Sequence, residues 1–568
     1  MSYTTGTALL EALLETGVEY VFANLGSDHT SIVEAYAAGR RAGKKLPQLI
    51  TAPHEMVAMT AAHGYALVTG RAQAVVVHVE CGTQSLAGAV HNAAKGRVPV
   101  FVFAGASPAT QEGEMRGSRN EFIHWLQDVF DQRGLVRGYM RYDNEIRVGA
   151  NVKQLVHRAM QFAHSEPRGP VYMVGTREIM EQEIQPVTLD RAKWPAIGLS
   201  ALPPDSAAAI ANLLANARRP LIVTSYAGRN PLAVEQLVRL AQRLGIGVLE
   251  SVPNYLSFPH DHALYQGSQW NEKKQNVGLA EADVILVVDS DVPWISQINR
   301  PSRDARIVHI DTDPLKQQMP LWYIGSEQMY RADAAVALRQ INTHLDTVSI
   351  NESVVNERRA HYERRHAERA AALRKAEQPT SDAITPEYLT ACVGRAIGPD
   401  AIVLSEAVTN FHHVANHAAR TKPGTLMTSG GGSLGWNGGA AVGVKLAKPD
   451  TFVTTMTGDG TYMFSIPSTV HWMAKRYKTP FLQVIFNNKG WRAPRLSATA
   501  VHPEGLASRG DDIAVSFEPP PDYAGIAAAA GGAHAERIKL AEEVVPAIER
   551  AVRAVRDEGR SAVIDASV

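Results

Sequence analysis

The strongest constraint on this chain is a pair of apolar, β-branched runs, each ending in a loop of small and amide residues. Residues 452–457 run into Gly458-Asp459-Gly460, a helical segment follows from about 467 to 475, and a second run, 481–486, ends at Asn487-Asn488-Lys489-Gly490. Strand, loop, helix and strand in that order make a parallel unit with both loops on one edge, where α/β sheets bind ligands. At 568 residues the chain is too long for one core and predicts about three such domains.

The two loops hold a donor set for a hard cation. Asp459 offers a carboxylate, Asn488 an amide oxygen and Gly490 a carbonyl, which two diphosphate oxygens and a water would complete to the octahedron of Mg²⁺. Gly458 and Gly460 let the backbone approach a diphosphate with no Cβ in the way. Taken singly, each loop also reads as an ordinary turn; the spacing of 29 residues between positions 459 and 488 sets the pair apart. With that spacing the chain resembles, nearly end to end, the thiamine diphosphate-dependent enzymes of the acetolactate synthase and 2-oxo acid decarboxylase superfamily. The interval is about two residues longer than usual there, and the excess is expected at Arg476-Tyr477-Lys478, between helix and strand, where insertion is tolerated.

Strand-like runs recur at 20–23, 73–79, 98–104 and 171–174, and again at 221–224, 247–249, 284–289 and 307–310, with Pro203-Pro204 marking a join. The stretch 351–378, with Glu357-Arg358-Arg359 and Glu363-Arg364-Arg365-His366, reads as a solvated linker helix. The fold class is α/β, with three doubly wound parallel-sheet domains. The resemblance implies a pyrimidine-binding domain at 1–185, a central domain at 190–350, a charged linker at 351–380 and a diphosphate-binding domain at 381–568.

Several residues then acquire candidate roles. Glu55 opens a helix after the run 49–51, where an acid needs no function because it complements the helix dipole. Yet His54-Glu55, followed by Ala62-His63-Gly64-Tyr65-Ala66, is similar to the family's catalytic-glutamate segment. That likeness implies a carboxyl bonded to the pyrimidine ring, favouring the imino tautomer of the cofactor. In the segment Thr428-Ser429-Gly430-Gly431-Gly432-Ser433-Leu434-Gly435, Leu434 matches the apolar wedge that bends the cofactor, with a one-residue gap in the glycine run; a core leucine is the alternative. Gly432 lies in the same cradle, and Thr409 follows the run 401–404 where backbone amides can hold the diphosphate.

Towards the substrate, Gly26-Ser27 resembles the Gly-Ser of benzoylformate decarboxylase, although Ser27, Asp28 and Thr30 are also ordinary helix caps. His78 ends a strand and precedes Thr83 by five residues, as the catalytic histidine of that enzyme does; acetolactate synthases lack a histidine there. Gln127, in Leu126-Gln127-Asp128, is similar to a glutamine that reaches the cofactor in acetolactate synthases. Arg492 and Arg495 stand where relatives select substrate, and either grip a carboxylate or are solvated.

The resemblance implies thiamine diphosphate and Mg²⁺ as cofactors. It also implies a homodimer or homotetramer whose sites lie between subunits, because Glu55 and Asp459 fall on different domains. The expected activity is decarboxylation of a small 2-oxo acid with transfer or protonation of the enamine. Alternatives are a benzoylformate decarboxylase-like enzyme without ligation, a 2-hydroxyacyl-coenzyme A lyase, and an inactive cofactor-binding scaffold. At the FAD-binding run of acetolactate synthases this chain reads Val288-Asp289-Ser290-Asp291; the acids would repel a diphosphate and argue against FAD. The chain stops soon after the run 562–565, where coenzyme A lyases carry a closing tail, which weighs against a thioester substrate.

Totals of 57 basic and 57 acidic residues favour neither nucleic acid nor an anionic membrane as partner. Two cysteines exclude a disulfide framework, and the want of a basic-then-apolar N-terminus or a spanning apolar run predicts a cytoplasmic protein.

Overall fold

The computed structural model describes residues 2–379, 381–510 and 513–568, so Met1 and Thr380, counted above in the first unit and the linker, lie outside the described residues. The first sheet holds β1 (Tyr20–Ala23), β2 (Gln48–Thr51), β3 (Ala74–Val77), β4 (Phe101–Ala106), β5 (Tyr142–Glu145) and β6 (Val171–Thr176), ordered β2-β1-β3-β4-β6-β5. The second holds β7 (Pro220–Thr224), β8 (Gly247–Ser251), β9 (Tyr265–Gln269), β10 (Val284–Val288), β11 (Arg306–Asp311) and β12 (Gln328–Arg331), ordered β12-β11-β10-β7-β8-β9. The third holds β13 (Ile402–Glu406), β14 (Leu426–Thr428), β15 (Val453–Gly458), β16 (Leu482–Asn487), β17 (His534–Ile538) and β18 (Ala562–Ser567), ordered β14-β13-β15-β16-β18-β17.

Every neighbouring pair is parallel. Parallel strands are covered on both faces, so the central ones are continuous apolar runs: Ala-Val-Val-Val in β3 and Val-Ile-Leu-Val-Val in β10 are buried throughout.

The first and third sheets share one strand order, shifted by twelve in strand number. In each, the order reverses between the first and third strands: β1 and β3 in one, β13 and β15 in the other. Loops leaving the carboxyl ends of such a pair open a crevice. Ser27 and His78 follow β1 and β3, while Thr409 and Asp459 follow β13 and β15. The second sheet reverses between β7 and β10.

The two like-ordered units are joined through equivalent helices, Glu55–Thr69 after β2 and Asn437–Ala447 after β14. A Cβ on Gly64 would stand 2.2 Å from the Ala440 carbonyl oxygen, and one on Gly443 would stand 1.9 Å from that of Ala61. Only glycine lets the backbones meet so closely. One hydrophobic cluster runs across the joint, from Phe22, Val75 and Val102 to Trp436, Val444 and Phe481.

The charged helix Glu352–Ala376 is not merely solvated. Val355, Arg358 and Tyr362 are buried. The Arg358 guanidinium donates to the carbonyls of Leu214 and Leu244 at 3.2 Å each, of Ala215 at 2.8 Å, and of Ala217. These carbonyls end the helices Pro204–Asn216 and Pro231–Leu244, so a fixed cation answers two helix C-termini together. The Tyr362 hydroxyl donates to the Pro220 carbonyl at 2.7 Å. Arg358→Met keeps the stem and leaves the carbonyls unanswered; it is expected to cost roughly 3 kcal/mol, read as an earlier midpoint in urea denaturation.

Candidate active site

Asp459 and Asn488 leave the ends of β15 and β16. Asp459 starts a short helix, Asp459–Phe464, that precedes the one expected from 467. Its carboxylate is buried and ties the two loops together: the Gly460 amide donates to Oδ1 at 2.8 Å and the Gly490 amide to Oδ2 at 3.0 Å. Burial raises the Asp459 acid above the ordinary carboxylate range, against those amides. The adjacent asparagines divide their work. Asn487 donates to Asp565 at 2.8 Å and accepts the Lys489 amide at 3.1 Å, whereas the Asn488 Oδ1 is buried with no hydrogen-bond partner.

A buried amide oxygen left without a donor beside a buried carboxylate fits a hard cation. Gly458 has an ordinary φ of −80°, and a Cβ there would meet only Thr461 Oγ1 at 3.8 Å, so the backbone borders open space. At Gly460 the fold adds a constraint of its own, because a Cβ there would stand 2.3 Å from the Trp491 ring. Gly490 has φ +154° and lies against the Val515 carbonyl.

Across the crevice, Thr409 is half-buried in a short 3₁₀ turn, Val408–Asn410, beside the unpartnered buried Asn410 Nδ2. Val408 has φ +42°, a costly conformation for a β-branched residue. Gly432, with φ +82° and no atom near its missing Cβ, turns the loop leading to Leu434. Leu434 is half-buried and belongs to none of the hydrophobic clusters among the described residues, unlike a core leucine. The following helix is capped by Glu406, which sequence reasoning passed over: it accepts the amides of Trp436 at 3.1 Å and Asn437 at 2.9 Å. Burial pushes its carboxyl up to about 7, although those bonds oppose it.

The other half surrounds β1, β2 and β3. The Glu55 side chain is 14% exposed, with His54 Nδ1 at 3.9 Å, and its Oε1 lies 3.3 Å from where a Gly82 Cβ would be. His78 is gripped at both nitrogens, Nδ1 to Asp28 Oδ1 at 2.6 Å and Nε2 to Gln127 Oε1 at 2.7 Å. The Asp28 bond raises its pKa above the ordinary histidine value, against the burial that would lower it. Asp28 is therefore a histidine partner rather than a helix cap, and its second oxygen accepts the Val79 amide at 3.1 Å.

Ser27 likewise caps nothing. Its Oγ lies 3.3 Å from His124 Nε2, and His124 Nδ1 accepts the amides of Asn120 and Glu121, which leaves Nε2 protonated and donating to Ser27. Arg177 holds the surrounding loop through Ser27, Gly117 and Ser118 carbonyls and the Asn120 side chain. Asp28, His124 and Arg177 join residues tens of positions apart, and no local pattern announces such contacts.

Of the two arginines, Arg495 donates to the Ala507 carbonyl at 3.3 Å and Arg492 is exposed, both on the helix Arg492–Val501. At the crevice of the second sheet, Asp291 and Asp311 pair with Arg97, each at 2.7 Å, and with Lys316 at 2.9 and 2.6 Å, while Asp289 meets Arg229 at 3.4 Å. The repulsion expected of these acids is cancelled locally by the three cations. No hydrogen bond or ion pair among the described residues links the Glu55–His78–Ser27 group to the Asp459–Asn488–Thr409 group.

Comparison with known proteins matches three family models along the chain. They are the thiamine pyrophosphate enzyme N-terminal TPP binding domain over residues 3–135, its central domain over 207–321, and its C-terminal TPP binding domain over 407–566. A probable acetolactate synthase large subunit of Methanococcus aeolicus is 23% identical, covering 96% of this chain and 89% of its own length. The sulfoacetaldehyde acetyltransferase of Castellaniella defragrans is 25% identical, covering 99% and 92%. The solved structure of a thiamine diphosphate-dependent 4-hydroxybenzoylformate decarboxylase from Rhodococcus jostii RHA1 superposes with a TM-score of 0.77 at 21% identity, over 100% of this chain and 99% of that one.

Proposed function

Because the chain belongs to the thiamine pyrophosphate-dependent enzymes of the acetolactate synthase and benzoylformate decarboxylase type, we propose that it decarboxylates a small 2-oxo acid, using thiamine diphosphate and Mg²⁺, and then transfers or protonates the carbon that remains. The observation that carries this reading is His78, held at both ring nitrogens between Asp28 and Gln127 on the same sheet edge as Glu55 and Ser27.

When bound, the cofactor supplies the nucleophilic carbon and the electron sink. The protein's part is to hold, orient and move protons. Asp459, Asn488 and the Gly490 carbonyl would hold the cation, and Gly458, Gly432 and Thr409 would border the diphosphate. Leu434 would bear on the cofactor rings, and the Glu55 carboxyl would hold a proton at the pyrimidine nitrogen. Ser27, its hydroxyl accepting from His124, is left to donate its own proton to a substrate carboxylate. His78 is anchored at Nδ1 by Asp28 and delivers a proton from Nε2 once Gln127 yields it. Arg492 and Arg495 are kept as candidate substrate contacts only in the loaded enzyme, where Arg495 would have to leave Ala507.

Each half is rimmed by exposed apolar side chains: Phe122, Leu126 and Phe130 near Gln127, and Met463 and Phe464 beside Asp459. Such rims support closure by a second copy of the chain, in a dimer or a tetramer of dimers, with Glu55 of one subunit serving the metal half of the other. No described helix is long and apolar enough to cross a membrane.

A ready proton donor favours protonation of the product carbon, and so a benzoylformate decarboxylase-like outcome, over ligation. The test is a panel of aliphatic and aromatic 2-oxo acids with thiamine diphosphate and Mg²⁺, scoring CO₂, aldehyde and coupled product separately, for the wild type and His78→Ala. Cofactor-dependent CO₂ release is expected, with His78→Ala slowing aldehyde formation by roughly 100-fold while cofactor affinity stays near wild type. No CO₂ from any substrate would remove the proposal, and unchanged kinetics in the variant would return His78 to a structural role.

A further inference from the structure

The loop 429–435 presents Leu434 but has little of its own to hold it in place. Gly430, Gly432 and Gly435 have φ of +83°, +82° and +93°, and a glycine-rich segment loses much conformational freedom on being ordered. What holds it comes from the first domain of the same chain. The helix Val79–Lys95, which starts just after His78, turns one face to this loop through Gly88, His91 and Asn92. His91 Nε2 donates to the Gly431 carbonyl at 2.8 Å.

Asn92 is fully buried, and its amide answers both backbone groups of one residue. Its Nδ2 donates to the Ser433 carbonyl at 2.7 Å, and its Oδ1 accepts the Ser433 amide at 2.9 Å. Close approaches flank the clamp. A Cβ on Gly88 would stand 2.7 Å from Ser433 Oγ, and one on Gly430 would stand 2.4 Å from the Gly96 Cα. Beyond Leu434, Gly435 abuts the Met56 methyl and the Phe464 carbonyl. The loop is thus gripped at 430–431, 433 and 435, on either side of the half-buried Leu434.

We propose that Asn92 is a positioning residue: by pairing with both backbone groups of Ser433 it fixes the direction in which Leu434 points, and with it the geometry of the bound cofactor. The inference rests on the reading of Leu434 given above. The amide does for one residue of loop what a neighbouring strand does in a ladder, from a side chain wholly out of water, where an unmade bond is expensive.

The test compares Asn92→Ala, Leu434→Ala and Ser433→Ala in the full-length protein. Three quantities are measured: amide hydrogen exchange of the loop peptide without cofactor, thiamine diphosphate affinity by titration, and kcat on the best substrate of the panel. Ser433→Ala keeps both backbone bonds and should behave as wild type. Asn92→Ala should speed exchange in residues 429–435 by roughly tenfold relative to the other peptides of the cofactor-free protein. It should lower kcat by roughly 10- to 100-fold while cofactor affinity falls less than about threefold. Normal kcat in Asn92→Ala beside an impaired Leu434→Ala would overturn the proposal alone. So would a loss of kcat without faster loop exchange. Wild-type turnover in Leu434→Ala would instead overturn the reading of Leu434, and the proposal with it.

Discussion

Replacing Glu55 by glutamine is expected to leave thiamine diphosphate affinity within a few-fold of wild type and to cut turnover by about a thousand-fold or more. The carboxyl begins the helix Glu55–Thr69 and faces the Cys81-Gly82 turn. Among the described residues it makes no hydrogen bond, and only the His54 ring, at 3.9 Å, lies within salt-bridge range. An acid that is mostly covered and has no internal partner is available to a ligand. Glutamine copies its shape and can still bond a ring nitrogen, but it cannot hold or release a proton there. The split between retained affinity and lost kcat therefore separates a proton-handling role from a packing role. Steady-state kinetics beside a cofactor titration make the measurement, and near-normal kcat would strip Glu55 of the assignment.

Asp459→Ala is expected to abolish Mg²⁺-dependent cofactor binding, a loss of at least about 100-fold in affinity. Titration of the coenzyme with and without Mg²⁺ reads it directly. The variant also frees the Gly460 and Gly490 amides, so part of any loss would come from loosened loops. Asn488→Ala separates the two causes. Its Oδ1 has no partner within the chain, so truncation removes no internal bond to that oxygen and relieves a buried group of its desolvation cost. The cofactor-free protein should be no less stable, while the affinity for Mg²⁺ and coenzyme falls. Unchanged metal dependence in both variants would dismiss the metal site.

What the sequence disclosed of this architecture follows from burial. Central strands such as β3 and β10, sandwiched between helices, are apolar along their whole length, and β1 was legible to the residue as 20–23. Three edge strands are half-wet and largely polar: Tyr-Asp-Asn-Glu in β5, Gln-Met-Tyr-Arg in β12 and His-Ala-Glu-Arg-Ile in β17 carry little apolar signal. Arg358 escaped for a related reason. A buried arginine among solvated ones is written with the same letter, and only the two helix ends it meets, more than a hundred positions away, distinguish it. In the candidate site, residues borne on loops at strand ends were legible because spacing in the chain maps onto one sheet edge. Asp28 and His124 were not, since each matters through a partner that the fold alone supplies.

The shared strand order of the outer sheets has a numerical consequence. Each polypeptide carries one crevice near Glu55 and one near Asp459, in two like-ordered units fastened together by glycine-lined helices. If finished sites arise by reciprocal exchange between two chains, coenzyme and subunits are counted in equal numbers, and an isolated chain counts zero. The concentration of finished sites then obeys mass action in the protein itself, varying as the square of the free-subunit concentration on dilution before any residue has been altered.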